Sequence, residues 1–305
     1  MKPYVTEEET METAEEKVGF IIHAIAEPEA AVPLDTVEKE AELSEEERKA
    51  KQHRRHVIIG RVIIGVAIVA IWEVFTRLGW MDSYFWSRPS SILKTTWQQL
   101  VHGTLLRDIA YTSGSTVLGF VAGTVLGALL GLSFWWSRAY ADISEPYLIV
   151  FNALPKLALA PVLVIMFGIG FFSKVMLAFL MTVIVTSLSA YSGVKSVDPA
   201  METLMYSLGA KRRQVFTKVV VPWSMPWIIS SLRINIALAL AGAIVGEFIS
   251  SDKGVGRMII YAGTILDINL VWVGVFVLSL LSVVMYGCVL LLEKWLSKRL
   301  AIVHS

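Results

Sequence analysis

Long apolar runs separated by short polar segments fill the chain from residue 57 to residue 293. Six runs, at 57–76, 111–136, 147–167, 174–194, 225–249 and 271–293, each come near the about 20 residues an α-helix needs to cross bilayer hydrocarbon. The pattern predicts an all-α, polytopic membrane protein with six transmembrane helices. Arg88 to Asp108 predicts a further short helix, opened by Pro89 and running through Trp97 and Leu100. The polar stretch 198–222 predicts a pair of short helices. Asp198 caps the first and Pro199 occupies its first position, where the missing N–H costs nothing. Gly209 stops it. The second carries Lys211, Arg212, Arg213 and Lys218 on one side and Val215, Phe216 and Val219 on another, and Pro222 is expected to end it.

Within the runs, a few positions stand out. Gly119, Gly123, Gly127 and Gly131 recur every four residues and predict a smooth strip against which another helix packs closely. Ala237, Ala239, Ala241, Gly242, Ala243 and Gly246 make the fifth run similarly small-sided. Pro155 and Pro161 are expected to bend the third run or open its hydrogen bonding. Lys156, Arg233 and Glu247 are intramembrane charges, each a candidate for the translocation pathway because burial of such groups is costly. Snorkelling to an interface is the competing role for Lys156 and Arg233. Arg233 and Glu247 lie about 21 Å apart along a straight helix, too far to pair, with Arg233 nearer the inner half and Glu247 near the outer surface. Asn152 and Asn235 are weaker pathway candidates that also suit helix–helix hydrogen bonding.

Composition agrees with a membrane location: 55% of residues are hydrophobic and 17% charged. A net charge of +1 conceals an asymmetry. Residues 1–50 hold fifteen acids against five bases, whereas the remainder holds twenty-two bases against eleven acids. The chain therefore divides into an acidic extension, 1–50, and a transmembrane domain, 51–305. The extension lacks an apolar core followed by small residues, so no secretory signal is expected. Thr6 to Glu9 reads as a capping box before a short helix, Pro28 and Pro33 break it, and Ser44 to Glu47 suits the cap of a second. Lysine and arginine orient the spans: with both termini cytoplasmic, the inner segments hold fourteen and the outer segments seven, Lys174 among the latter. The stretch 198–222 then lies inside.

Several chemistries lack their residues. No phosphate-binding loop occurs, since Val194-Lys195-Ser196 has no glycines at the required spacing, so this chain is not expected to hydrolyse ATP. His23, His53, His56, His102 and His304 fall outside the six runs, and Cys288 is the single cysteine. No catalytic residue, metal centre or nucleic-acid surface is expected.

The stretch 198–222 resembles the coupling loop of binding-protein-dependent ABC importer permeases, whose glycine and proline stand thirteen residues apart, as Gly209 and Pro222 do. Asn152-Ala-Leu-Pro155, Ala160-Pro161, Phe167-Gly-Ile-Gly170, Tyr191-Ser-Gly193 and Val197-Asp-Pro199 resemble the nitrate, sulfonate, taurine and bicarbonate branch, and Gly246-Glu-Phe248 and Gly254-Val-Gly256 continue the likeness. The resemblance implies a MetI-like, type I importer fold. It also implies a second permease copy, two cytoplasmic ATPases that bind ATP and Mg, an external substrate-binding protein and surrounding lipid. Coupling to the ATPase falls to Asp198, Glu202, Thr203, Gly209, Ala210, Arg212 and Pro222. The family's glutamate position is Thr203 here; Glu202 stands one place early, turned by about 100° on a helix. The implied cargo is a small anion, with a vitamin precursor as the alternative. An ion-coupled secondary carrier is the competing class, disfavoured because no acid cluster lies in the spans and no inverted repeat is visible.

Overall fold

The computed structural model describes residues 34–304, which contain helices and no strand. The chain forms two units, Met1–Ala70 and Ile71–Ser305. The described part of the first unit is one helix, α1 (Leu34–Arg77), whose last turns belong to the second. It passes through Ser44 without a break, so the expected cap there is not used; the Glu, Lys and Arg residues around it are good helix formers. The expected helix after Thr6 and the breaks at Pro28 and Pro33 lie outside the described residues. The apolar part of α1, Arg55–Arg77, takes in His56, which the sequence pattern had placed just outside.

In the second unit, α2 (Ser83–Trp86) and α3 (Pro89–Val101) precede α4 (Leu105–Ser133), which is prolonged by a 3-10 turn, Phe134–Trp136. Then come α5 (Arg138–Ala153), a 3-10 turn at Lys156–Leu159, α6 (Ala160–Phe167) and α7 (Phe171–Lys195). The polar stretch forms α8 (Pro199–Ser207), α9 (Arg212–Val215) and a π-helical turn, Phe216–Val220. It leads into α10 (Val221–Ile249), followed by α11 (Val255–Thr264) and α12 (Ile268–His304). Among the described residues, five stretches are long and apolar enough to cross a membrane as continuous helices. The third predicted run is a helix pair instead: α5 and the segment ending in α6 meet at a bend of 80°. Pro155 causes this, because the residue before proline is pushed out of the helical region, and Leu154 is extended at ψ 139°.

Helices α4, α7 and α10 form the core, and the glycine strip brings the first two together. A Cβ on Gly119 would lie 2.4 Å from that of Ala178, one on Gly127 2.5 Å from the Val183 carbonyl, and one on Gly131 2.3 Å from the Ser187 carbonyl. Gly242 lets α10 approach Ala178 in the same way, and Gly193 lets α7 meet Ser224. Phe120, Ala178, Leu232, Ile236 and Ala239 then close one apolar cluster with Met285 and Val289 of α12. Polarity is turned inside out, as a hydrocarbon solvent demands. Thr112, Ser115, Thr116, Thr182, Thr186 and Ser187 are buried, while Val117, Leu118, Val121, Val125 and Leu129 face outward. The buried hydroxyls bond to carbonyls of their own helices, as Thr186 does to Thr182 at 3.0 Å.

The strip makes a direct prediction. A valine at Gly123 would set its Cβ 1.8 Å from Thr182 Oγ1 and 3.0 Å from the Phe179 carbonyl, forcing α4 away from α7. Gly123→Val should therefore lower stability by about 1–3 kcal/mol or more, seen as earlier thermal unfolding in detergent. Gly287→Ala on α12, where nothing lies within 4 Å, should leave the transition in place.

Candidate functional site

The knob at 198–222 is built as its caps dictate. Asp198 is extended, and its Oδ1 accepts the Ala200 N–H at 2.8 Å while Pro199 opens α8. At the other end Ala210 N–H reaches the Met205 carbonyl at 3.0 Å and Gly209 N–H that of Tyr206 at 2.9 Å. This is a Schellman stop, and Gly209 supplies its left-handed residue at φ 79°. Lys211 N–H then donates to Gln214 Oε1 at 2.7 Å to start α9. Pro222 does not end that helix, contrary to expectation. The chain runs on as one helical stretch, Arg212–Ile249, and the π turn widens the backbone just before the proline, relieving its clash with the carbonyl four residues back.

Glu202 and Arg212 both turn back onto their own chain. Trp135 Nε1 donates to Glu202 Oε1 at 3.0 Å. Arg212 Nη2 donates to the Trp136 carbonyl, and its guanidinium carbon lies 5.3 Å from the Trp135 ring and 5.4 Å from the Trp136 ring. Phe216 packs on both indoles, with centroids at 5.5 and 5.3 Å. Thr203 is exposed, and its hydroxyl is spent on the Pro199 carbonyl at 2.9 Å. Outward, α8 and its C-cap residue present Met201, Leu204 and Leu208, 44%, 54% and 75% exposed, at the i, i+3, i+7 spacing of a single helix face. The same end of the bundle is braced by Lys195 to Glu145 at 2.8 Å and by Trp223 Nε1 to the Ser196 carbonyl at 3.0 Å.

The pathway candidates separate into different settings. Asn152 and Lys156 come together at the break after α5, where Lys156 Nζ donates to the Asn152 carbonyl at 3.1 Å and its Oδ1 at 3.2 Å. Arg233 is not a free cation: it makes two bonds to Glu293 of α12, at 2.5 and 2.6 Å. Asn235 is buried in the core, donating to Thr186 Oγ1 at 2.7 Å, and its Oδ1 has no partner among the described residues. Glu247 is buried, 1% exposed. Arg233 and Glu247 do not pair with one another, as their spacing predicted.

Glu247 belongs to a cluster that sequence reasoning missed, at the end of the core opposite the knob. It accepts from the Thr112 hydroxyl at 2.8 Å and from Gly256 N–H at 2.8 Å. Thr112 Oγ1 takes the Val255 N–H at 3.0 Å, and Asp108 takes the Gly254 N–H at 2.9 Å and the Thr104 hydroxyl at 2.5 Å. The first N–H groups of α11, orphaned by helix geometry, are thus satisfied by side chains of α4 and α10. Gly254 is required here: its φ is 113°, and a Cβ would fall 2.3 Å from the Glu247 carboxyl carbon. Lys174, counted with the outer segments at the start of the fourth run, is fully buried, bonded to the Ser250 carbonyl and to Ser173 Oγ at 3.3 Å. Gly-Val-Gly before a helix, with an acid nine residues before its second glycine, was the available signal for Glu247. Nothing local marked Asp108, Lys174 or the Trp135-Trp136 turn. Among the described residues no group of three His, Cys, Asp or Glu side chains is placed to hold a metal ion.

The chain matches the family described as Binding-protein-dependent transport system inner membrane component over residues 123–301. It is 31% identical over 227 residues to the formylaminopyrimidine transport permease protein ThiX of Halalkalibacterium halodurans, covering 74% of this chain and 90% of that one. It is 28% identical to the taurine transport system permease protein TauC of Escherichia coli, covering 70% of this chain and 80% of that one. The putative aliphatic sulfonates transport permease protein SsuC of Bacillus subtilis is 27% identical, with coverage of 82% and 91%. Among solved structures, an inward-facing MetNI methionine ABC transporter shares the fold at a TM-score of 0.55 and 16% identity, over 62% of this chain and 94% of that one.

The buried cluster gives a test of its own. Glu247→Ala would strand the Gly256 N–H and leave the Thr112 hydroxyl with the Asp108 carbonyl alone. Stability should fall by about 1–3 kcal/mol, with Glu247→Gln losing less because one acceptor remains. Thermal unfolding in detergent measures both, and protease cutting at 250–256 should rise in the alanine variant first.

Proposed function

The chain belongs to the binding-protein-dependent transport system inner membrane components, and we propose from that premise how its knob and its charges serve transport. It is the multi-pass permease subunit of an ABC importer. In our reading both termini and the knob are cytoplasmic, two copies form the pathway, and two ATPases that bind ATP and Mg dock on the two knobs. An external binding protein delivers the cargo. The exposed Met201, Leu204 and Leu208 face is the observation that carries the docking assignment, since α8 otherwise shows three large apolar side chains to water. ATP-driven closure of the ATPases displaces α8, and the tightly packed α4, α7 and α10 move with it.

For the cargo we favour a small organosulfonate or related oxyanion. The sulfonate and taurine relatives support it, and so does Lys156 at the break of the third span, a candidate cation that, unlike Arg233, has no carboxylate bonded to it among the described residues. A vitamin precursor is the second reading, favoured by the formylaminopyrimidine permease among the relatives. The ligand carried by the partner binding protein decides between them.

Two experiments test the coupling. Reconstituted with its ATPase and binding protein, the permease should import only while the ATPase is catalytically intact. Uptake driven by a proton or sodium gradient through the permease alone would establish the carrier instead. Gly209→Val, forcing a β-branched residue to φ 79°, should leave insertion intact while transport per complex falls about tenfold or more; unchanged coupling would count against the docking assignment.

A further inference from the structure

The turn Phe134–Trp136 lies at the end of α4, well before the knob along the chain, yet both helices of the knob hold it. From α8, Glu202 accepts the Trp135 indole N–H at 3.0 Å. From α9, beyond the Gly209 bend, Arg212 covers the two indole rings at 5.3 and 5.4 Å and donates to the Trp136 carbonyl. Phe216, at the start of the π turn, closes the assembly against both rings. The contact therefore combines hydrogen bonds, which resist separation, with ring stacking, which resists compression.

The place of the turn on α4 matters as much as its contacts. Within one helical turn of it, Gly131 brings α4 so close to α7 that an added Cβ would meet the Ser187 carbonyl at 2.3 Å. A push or pull on Trp135 is thus delivered to the tightest seam of the core. An apolar contact alone would let α8 slide over the bundle. A planar guanidinium fork over two indoles does not slide, and lysine cannot reproduce it.

We propose that Trp135 and Arg212 are positioning residues that pass the displacement of the docked loop helix into the second span, with Glu202 fastening α8 to Trp135. The proposal rests on the reading of the knob as the ATPase-docking surface. It gives Glu202 a role within its own chain, where the one-place offset from Thr203 has turned it.

The test uses the whole complex of permease, ATPase and binding protein in proteoliposomes, with Trp135→Phe, which keeps a ring and loses the donor, and Trp135→Ala. ATPase co-purification and basal ATP hydrolysis should persist in both. Cargo moved per ATP should fall about tenfold in Trp135→Ala and less in Trp135→Phe. Arg212→Lys should also lower the ratio, and adding it to Trp135→Ala should lower it little further, because the two act as one linkage. A wild-type ratio in Trp135→Ala would overturn the proposal. So would a loss of transport that only tracks loss of bound ATPase, which would make the turn a mere support for docking. If the wild-type permease retains no ATPase, the docking assignment fails first, and the proposal with it.

Discussion

Backbone-to-backbone contact between α4 and α7 is the constraint on which the rest of this protein is built. In hydrocarbon, apolar side chains gain nothing by leaving lipid for another helix, so association depends on close packing and hydrogen bonding. Four glycines, one per turn, let α4 lie against the carbonyls of Val175, Phe179, Val183 and Ser187. Gly193 and Gly242 extend the same closeness to α10. With no side chains to act as a compliant layer, the three helices have little room for independent motion.

The two ends of that core carry different chemistry. At one, Asp108, Glu247 and Lys174 are buried and spend their bonding on the first turn of α11 and the Ser250 carbonyl. A buried charge stripped of its partners is strongly unfavourable, so this end is held in one arrangement. At the other, the polar stretch stands out from the bundle with an exposed apolar face, and it is fastened by bonds to the Trp135-Trp136 turn. A locked end and a levered end suit a bundle that responds to force applied at the knob, as the proposed docking of an ATPase requires.

Much of this was legible in the sequence because it depends on local rules. The Asp198-Pro199 start and the Gly209 stop of α8 follow from capping, and the glycine period named the packing face of α4. The bend at Pro155 was expected, though its 80° angle was not. Pro222 was misread because a π turn can absorb a proline that an α-helix rejects, and nothing in Phe216–Val220 announces one. Lys174 was counted as an outer charge at the start of a run because its burial depends on Ser250 folding back over it from seventy-six residues away. Arg233 was a free cation only until α12 brought Glu293 to it. For Lys174 and Arg233 the missing information lay in contacts between distant segments.

On the proposed reading, the Met201, Leu204 and Leu208 face of α8 meets a nucleotide-binding partner. A photo-crosslinking residue placed at Leu204, in the assembled complex within native membranes, measures this most directly. An adduct with the ATPase is expected, its yield changing between ATP-bound and nucleotide-free states. An adduct only with the external binding protein, or labelling of that position from outside the membrane, would contradict it.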